Sequence, residues 1–544
     1  MEWAQLHDAA QSLERELSRT KASSRTTYIG STKSFVDKLS SLISVILTRL
    51  QADGFSPQDD TDDVVTALAR TLAKTMSPVV LPLETYEAHE DDDMDLDEDR
   101  ENDTRARVVQ RCRATAPAAC RALNLLAEKS GSESIADDSV LVILCAYANP
   151  TEEWVDTEET ASQATALLMK LLTRKNLDKN QLIIEVILQR YLRPLFSKSK
   201  PASITASGRK AEYLDPAGGR TETLPDDSSE TKPWKFTDFR AIPVITWAAH
   251  EADVFPPAPT PFIIGSSLTQ LTHQEDLVNK HWPLFLPVVL TLADDQATSV
   301  RQRGLVIIKT FITKLPTKIL HGAGLSKIFE DTIFPTLNYL PSLTPENESI
   351  QLLIPAYEAL CTLADKQPPA AAAARVHQLK NKLLDQILRE GVFSGYFHAK
   401  QHVRIVEVLC QQTVIVLDRM GIHSVKHLKD LVPMISAIMT DPFAHVAPST
   451  LLAAVKSLQA VLINCWPRIA SSPWQDEMLQ SLVLCWLNLA EETNTELDVV
   501  RQELQASAKM LAAILKTEDA RLSELSGPLI AQEPSLSKLL TGWR

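Results

Sequence analysis

His281 to Pro316 reads HWPLFLPVVLTLADDQATSVRQRGLVIIKTFITKLP, and this stretch decides the fold. Trp282 to Leu292 is apolar with Pro287 in its interior, where a proline removes one backbone bond and bends a helix. Asp294 and Asp295 end that segment. A second helix is expected from near Ser299, with Ile308, Phe311, Ile312 and Leu315 at i, i+3, i+4 and i+7. Such a stripe of helical period needs another helix to cover it. The stretch therefore reads as one helix-turn-helix unit of a stacked array.

Its spacing resembles a HEAT repeat, with a proline in the first helix, an aspartate eight residues on, and a valine-basic pair beyond. Here these are Pro287, Asp295, Val300 and Arg301. The proline bends the first helix, and the aspartate caps the second or receives a basic side chain. The valine packs between helices. A looser copy follows at Pro433, Asp441 and Val446, with Ala447 in place of the basic residue. The expected fold class is all-α, a HEAT-like α-solenoid of antiparallel helix pairs interrupted by two disordered loops.

A repeat array accommodates all 544 residues as one body, and a 44% apolar content supplies its core. Only 15 glycines occur, well below the usual share of about 7%, which argues against glycine-rich phosphate loops. Of the net charge of −14, Glu87 to Asp103 supplies −10, from 11 acids against Arg100. The remainder is nearly balanced, which disfavours a nucleic-acid binder. The seven cysteines are odd in number and form no CxxC pair, so they read as reduced, mostly buried thiols of an intracellular protein. No leader peptide is expected at Met1 to Gln5. The apolar runs read as too interrupted for the ~20 residues that cross a bilayer, so no membrane association is expected.

In chain order, residues 1–77 read as an N-terminal helical cap with helices near Trp3 to Leu17, Ser34 to Ala52 and Asp63 to Thr75. Residues 78–104 read as an acidic disordered linker, because its like charges repel and bury almost nothing. Residues 105–196 read as helical repeats, with Asn149-Pro150-Thr151-Glu152 opening one helix. Residues 197–235, rich in Ser, Pro and Gly, read as a disordered loop. Residues 236–544 read as a C-terminal HEAT-like solenoid. In it, Thr344-Pro345-Glu346 and Ser472-Pro473-Trp474-Gln475 are expected to start helices with a hydroxyl cap.

Catalytic signatures are weak. His398 and His402, and His423 and His427, stand four apart and so share a face if helical, but Ala399 and Ser424 occupy the place of the glutamate in HExxH. His321-Gly322-Ala323-Gly324 has no GxSxG elbow to serve, and a loop between helices accounts for it. No catalytic residue, metal ligand or cofactor is expected. Partner contacts are assigned to Trp282, Arg303, Trp474 and Trp486, since tryptophan and arginine concentrate at interface hot spots. Arg301, Arg303 and Arg501 are equally suited to bridging neighbouring repeats.

HWPLFLPVVLTLADD, VRQRGL, HGAGLSKIFEDTIFPTLNYLPSLTPENES and LLIPAYEAL together resemble the core of the Tti-two family, the second Tel-two-interacting protein. Leu337 to Ser349 is the most distinctive part. The resemblance runs over Asp238 to Ala364 and implies a non-enzymatic subunit of the Triple T co-chaperone complex, with Tti-one and Tel-two as partners. It further implies work with the Hsp-ninety machinery on phosphatidylinositol-3-kinase-related protein kinases, a place in the ASTRA assembly, and a cytoplasmic and nuclear location. Phe236 to Arg544 is expected to suffice for gripping Tti-one. The alternatives are a karyopherin-like or phosphatase-scaffold adaptor, which would show a more regular run of HEAT matches, and an enzyme with a degenerate site.

Overall fold

The computed structural model describes residues 2–19, 28–52, 62–84, 97–130, 135–199, 228–252, 277–366, 373–469, 473–490, 492, 494–515, 519–541 and 543. The described residues are helical throughout, apart from turns and one isolated β-bridge between Val79 and Asp238. The fold is an all-α, HEAT-like array of antiparallel helix pairs. It divides into two compact units, Met1–Thr291 and Leu292–Arg544.

In the first unit, α1 (Glu2–Leu17), α2 (Tyr28–Gln51) and α3 (Asp62–Met76) each bury one stripe. On α1 it is Leu6, Ala10, Leu13 and Leu17; on α3 it is Val65, Leu68, Ala69, Leu72, Ala73 and Met76. This spacing is one helix face, and α2 and α3 both lay theirs on α4 (Asp97–Ser130). Two further helices follow, α5 (Asp138–Ala146) and α6 (Glu158–Arg174). Asp137 starts α5 by accepting the Ser139 N–H at 3.0 Å, and Thr157 starts α6 by accepting that of Thr160 at 3.3 Å. A helix from Lys179–Gln181 then continues as a π-helix over Leu182–Leu192, and α7 (Ala241–Glu251) packs against it and against α5.

Several expectations are corrected here. Pro78 to Glu84, assigned to the acidic linker, is instead a strap with Pro78, Leu81 and Glu84 buried. Arg111 of α4 donates to the carbonyls of Thr75, Ser77 and Val79 at 2.7, 3.1 and 2.8 Å, and its Nε meets Glu84 Oε1 at 2.6 Å. Both side chains are fully enclosed. A guanidinium buried there gathers carbonyl oxygens that would otherwise lose their hydrogen bonds, a demand that charge patterning does not reveal. The acidic run is partly helical too, since α4 starts at Asp97; residues 85–96 lie outside the described residues.

The loop expected over 197–235 is also narrower, with 200–227 outside the described residues. Trp234 stacks on Phe196 with centroids 5.0 Å apart, and Val80 and Phe239 exchange backbone bonds with Thr237 and Pro78. The Phe236 boundary therefore falls inside the first unit. Asn149 to Glu152 forms a turn with Glu152 buried, not the start of a helix.

The second unit follows α8 (Leu277–Ala293), whose last two residues belong to it. Next come α9 (Thr298–Lys314), α10 (Leu325–Ile333), α11 (Glu346–Asp365), α12 (Ala373–Gln386), α13 (Val403–Met420), α14 (Leu428–Met439), α15 (Pro448–Ile469), α16 (Trp474–Asn488) and α17 (Glu496–Leu515). The second helices of successive pairs, α9, α11, α13, α15 and α17, pack side by side.

Polar bonds cross this row at repeat intervals. Lys309 meets Glu358, 49 residues on, and Ser457 donates to the Cys410 carbonyl, 47 residues back. Gln459 donates to Glu503, 44 residues on. The first helices show the same period, with Ser481 donating to Ser436 at a separation of 45. Three of these four separations fall in the 40–47-residue period of HEAT-type arrays, and the Lys309–Glu358 pair runs two residues longer.

α15 is long and apolar enough to cross a bilayer by composition, contrary to the sequence reading, and 61% of that window is buried inside the protein. It lies between α13 and α17, which accounts for its apolar faces. Thr344 does not cap α11, whose N-cap is Pro345; Ser472 lies outside the described residues.

Candidate interaction site

The turn between α8 and α9, at the start of the second unit, is held by the repeat-signature residues. Asp295 Oδ1 accepts the Ala297 N–H at 2.9 Å just before α9 begins, while Arg301 Nε donates to the Asp295 carbonyl at 2.9 Å. Arg301 Nη2 donates to the Asp294 carbonyl at 3.2 Å. Carbonyls left over where a helix ends thus gain a charged donor. The same guanidinium lies 4.4 Å from the centre of the Tyr339 ring, in the next pair. Val300 is buried on α9, and Pro287 is exposed within α8.

At the looser copy, Asp441 Oδ1 likewise accepts the Phe443 N–H at 2.9 Å, and Pro433 is exposed within α14. Val446 departs from the expectation. It lies 73% exposed in the 3-10 turn Ala444–Val446 ahead of α15, so it does not pack between helices. Eight residues separate α14 from α15, against four between α8 and α9.

Arg501, which the sequence offers as a bridge between repeats, braces the turn ahead of its own helix. Arg501 of α17 donates to the carbonyls of Leu489, at 2.8 Å, and Glu492, as Arg301 does at its own turn. The signal was there: Val500-Arg501-Gln502 repeats Val300-Arg301-Gln302.

The residues expected to meet partners are scattered. Trp282, Arg303 and Trp474 are half-buried, and Trp486 is only 8% exposed, so it serves the core. The proposed histidine pairs do not form shared helix faces. His398 closes the helix Ser394–Ala399, whereas His402 is the N-cap of α13. His423 and His427 lie in the 3-10 turn Gly421–His427, where His427 Nε2 contacts Asp385 Oδ1 at 2.8 Å. His321 bonds the Lys366 carbonyl at the end of α11 and the Ser326 hydroxyl of α10, tying its own short helix to both. Among the described residues, no three His, Cys, Asp or Glu side chains form a metal-holding group.

What the second unit presents instead is an exposed apolar series. Leu343 (90% exposed), Phe443 (75%) and Val446 lie at the turns joining the first helix of a pair to the second, and Phe397 (72%) lies in the short helix Ser394–Ala399 that leads into such a turn ahead of α13. These turns follow one another along one edge, because the starts of the second helices are bonded together. Thr298 of α9 donates to Glu348 of α11, and Arg404 of α13 donates to Asn347 of α11. Thr450 of α15 donates to the Val403 carbonyl of α13. The sequence marks Val446 as a packing residue and gives no sign of Phe397 or Phe443, because an exposed and a buried phenylalanine look alike in a helical pattern. Only Leu343, inside the distinctive segment 337–349, carried a hint.

No curated protein matches the chain. A solved structure of importin beta aligns with a TM-score of 0.42 and 11% identity, over 97% of this chain and 52% of that one. The chain spans about half the length of that protein. The Tti2 family matches residues 140–446, more than half of the sequence, including the signature turn and the Leu343-to-Val446 edge. On that match, the chain belongs to the Tti2 family.

Proposed function

We propose that the chain is a scaffold subunit of the Triple T complex, joining Tti-one and Tel-two. In this role it serves the Hsp-ninety machinery in maturing phosphatidylinositol-3-kinase-related protein kinases, in the cytoplasm and nucleus. The observation that carries the reading is the family match over residues 140–446. A stack of helix pairs with an exposed apolar edge suits a subunit that works by binding, because such arrays offer long surfaces repeated at helix spacing. On this reading the chemistry belongs to the chaperone ATPases, and this chain presents surfaces without turning over a substrate.

The test is affinity purification of the tagged full chain from its native cell, with mass spectrometry of what copurifies. Recovery of Tti-one, Tel-two and the large kinases is the expected result. Transport factors or phosphatase subunits in their place overturn the assignment and leave the fold standing. The full chain is required, since a fragment starting at Phe236 would cut through the first unit.

A further inference from the structure

We propose that the second unit bends at one place, the joint between α11 and α13, so that the helix pairs on either side rock as two stiff blocks. The proposal does not depend on which partners the chain holds. In the row of second helices, α11 and α13 pack less extensively on one another than α9 on α11, α13 on α15 or α15 on α17. A thinly packed joint opens at lower cost than its neighbours.

The polar bonds differ in the same sense. The other three joints are bonded away from their ends, by Lys309 and Glu358, by the Ser457 hydroxyl and the Cys410 carbonyl, and by Gln459 and Glu503. Among the described residues, side-chain hydrogen bonds cross from α11 to α13 only at the two ends, where Arg404 donates to Asn347 and Arg419 to Asp365. Asp365 and Arg419 are partly exposed, so water competes for both charges.

The middle of this joint instead holds a polar group with nothing to bond. Tyr357 of α11 is fully buried, and its hydroxyl has no hydrogen-bond partner among the described residues. It reaches across to the next pair: a Cβ placed on Gly391 would stand 2.8 Å from Tyr357 Oη and 3.0 Å from Leu337 Cδ1. Gly391 lies in the π-helix Ile387–Phe393, a widened turn of a kind that concentrates at functional sites. Gln412 Oε1, buried on α13, and Thr336 Oγ1, next to Leu337 in the chain, also lack partners among the described residues. A buried oxygen without a hydrogen bond is costly, and water admitted on opening relieves that cost. Thin packing, bonds confined to the ends and orphaned polar atoms thus coincide at one joint, and each lowers the work of opening it.

The test measures distances between pairs of spin labels on the full chain, carried by unnatural amino acids so that the seven buried cysteines are spared. Val306 of α9, Gln411 of α13 and Gln502 of α17 are exposed, and each neighbouring two are separated by two steps of the row. Only the 306–411 pair crosses the proposed joint. Its distance distribution is expected to be about twice as wide as that of the 411–502 pair, because a hinge gathers motion that stiff blocks do not share. Tyr357→Phe removes the orphaned hydroxyl with little change of shape, so it should narrow the 306–411 distribution and leave the 411–502 distribution as it was. Equal widths for the two pairs, or a 306–411 width that Tyr357→Phe leaves unchanged or increases, overturns the proposal.

Discussion

The Arg301 guanidinium lies 4.4 Å from the centre of the Tyr339 ring while its Nε–H donates to the Asp295 carbonyl. One buried side chain thereby closes the turn of its own pair and seats the next pair against it. Arg301→Ala removes two charge-assisted hydrogen bonds and a stacked cation, and is expected to destabilise the second unit by roughly 2–4 kcal/mol. Arg301→Lys should recover only part of this, because an ammonium does not reproduce the planar fork. Urea unfolding of the full chain measures both.

Gly304 is a point where a backbone approaches too closely for a side chain. A Cβ placed there would stand 2.6 Å from the Ala293 nitrogen and 2.7 Å from the Leu292 carbonyl carbon. Alanine is ordinarily the better helix former, yet Gly304→Ala is expected to cost about 1–3 kcal/mol by overpacking. A rise in melting temperature would contradict the close approach.

Arg111 and Glu84 form a fully buried pair whose donors also hold the carbonyls of residues 75–79. Truncating one partner strands the other charge, so Arg111→Ala should cost about 3–5 kcal/mol. Limited proteolysis is expected to cut the freed Pro78-to-Glu84 strap first, before the helices of the second unit. Equal resistance of the strap in the variant would show that Arg111 does not hold it.

All seven cysteines are unpaired and buried, and burial pushes their thiols up: Cys112 and Cys361 to about 11, Cys120, Cys410 and Cys485 to about 12. In an unfolded chain the thiol titrates near about 8.5. A raised folded value means that stability is complete below that pH and is lost as the pH climbs towards 11–12, because the unfolded chain loses its protons first. The urea midpoint should therefore fall from about pH 8.5 upward, and Cys410→Ala with Cys485→Ala should flatten the slope. Thiol-reactive probes should modify the native chain slowly at pH 8 and rapidly once it unfolds.

The sequence by itself determined the helix-pair class and the family, and it placed the brace around Arg301. Helical periodicity, interior prolines and the Pro287-to-Arg301 spacing are local, so they can be read one turn at a time. Only the tertiary structure decided the rest. Pro78 to Glu84 looks like a linker until Arg111, 27 residues beyond Glu84, closes on it. Trp486 looks like a contact residue until its neighbours bury it, and Phe397 and Phe443 look like core until no helix covers them. Burial, long-range pairing and the alignment of one edge depend on which distant helices meet, and a linear pattern carries the period of each helix but not its neighbours.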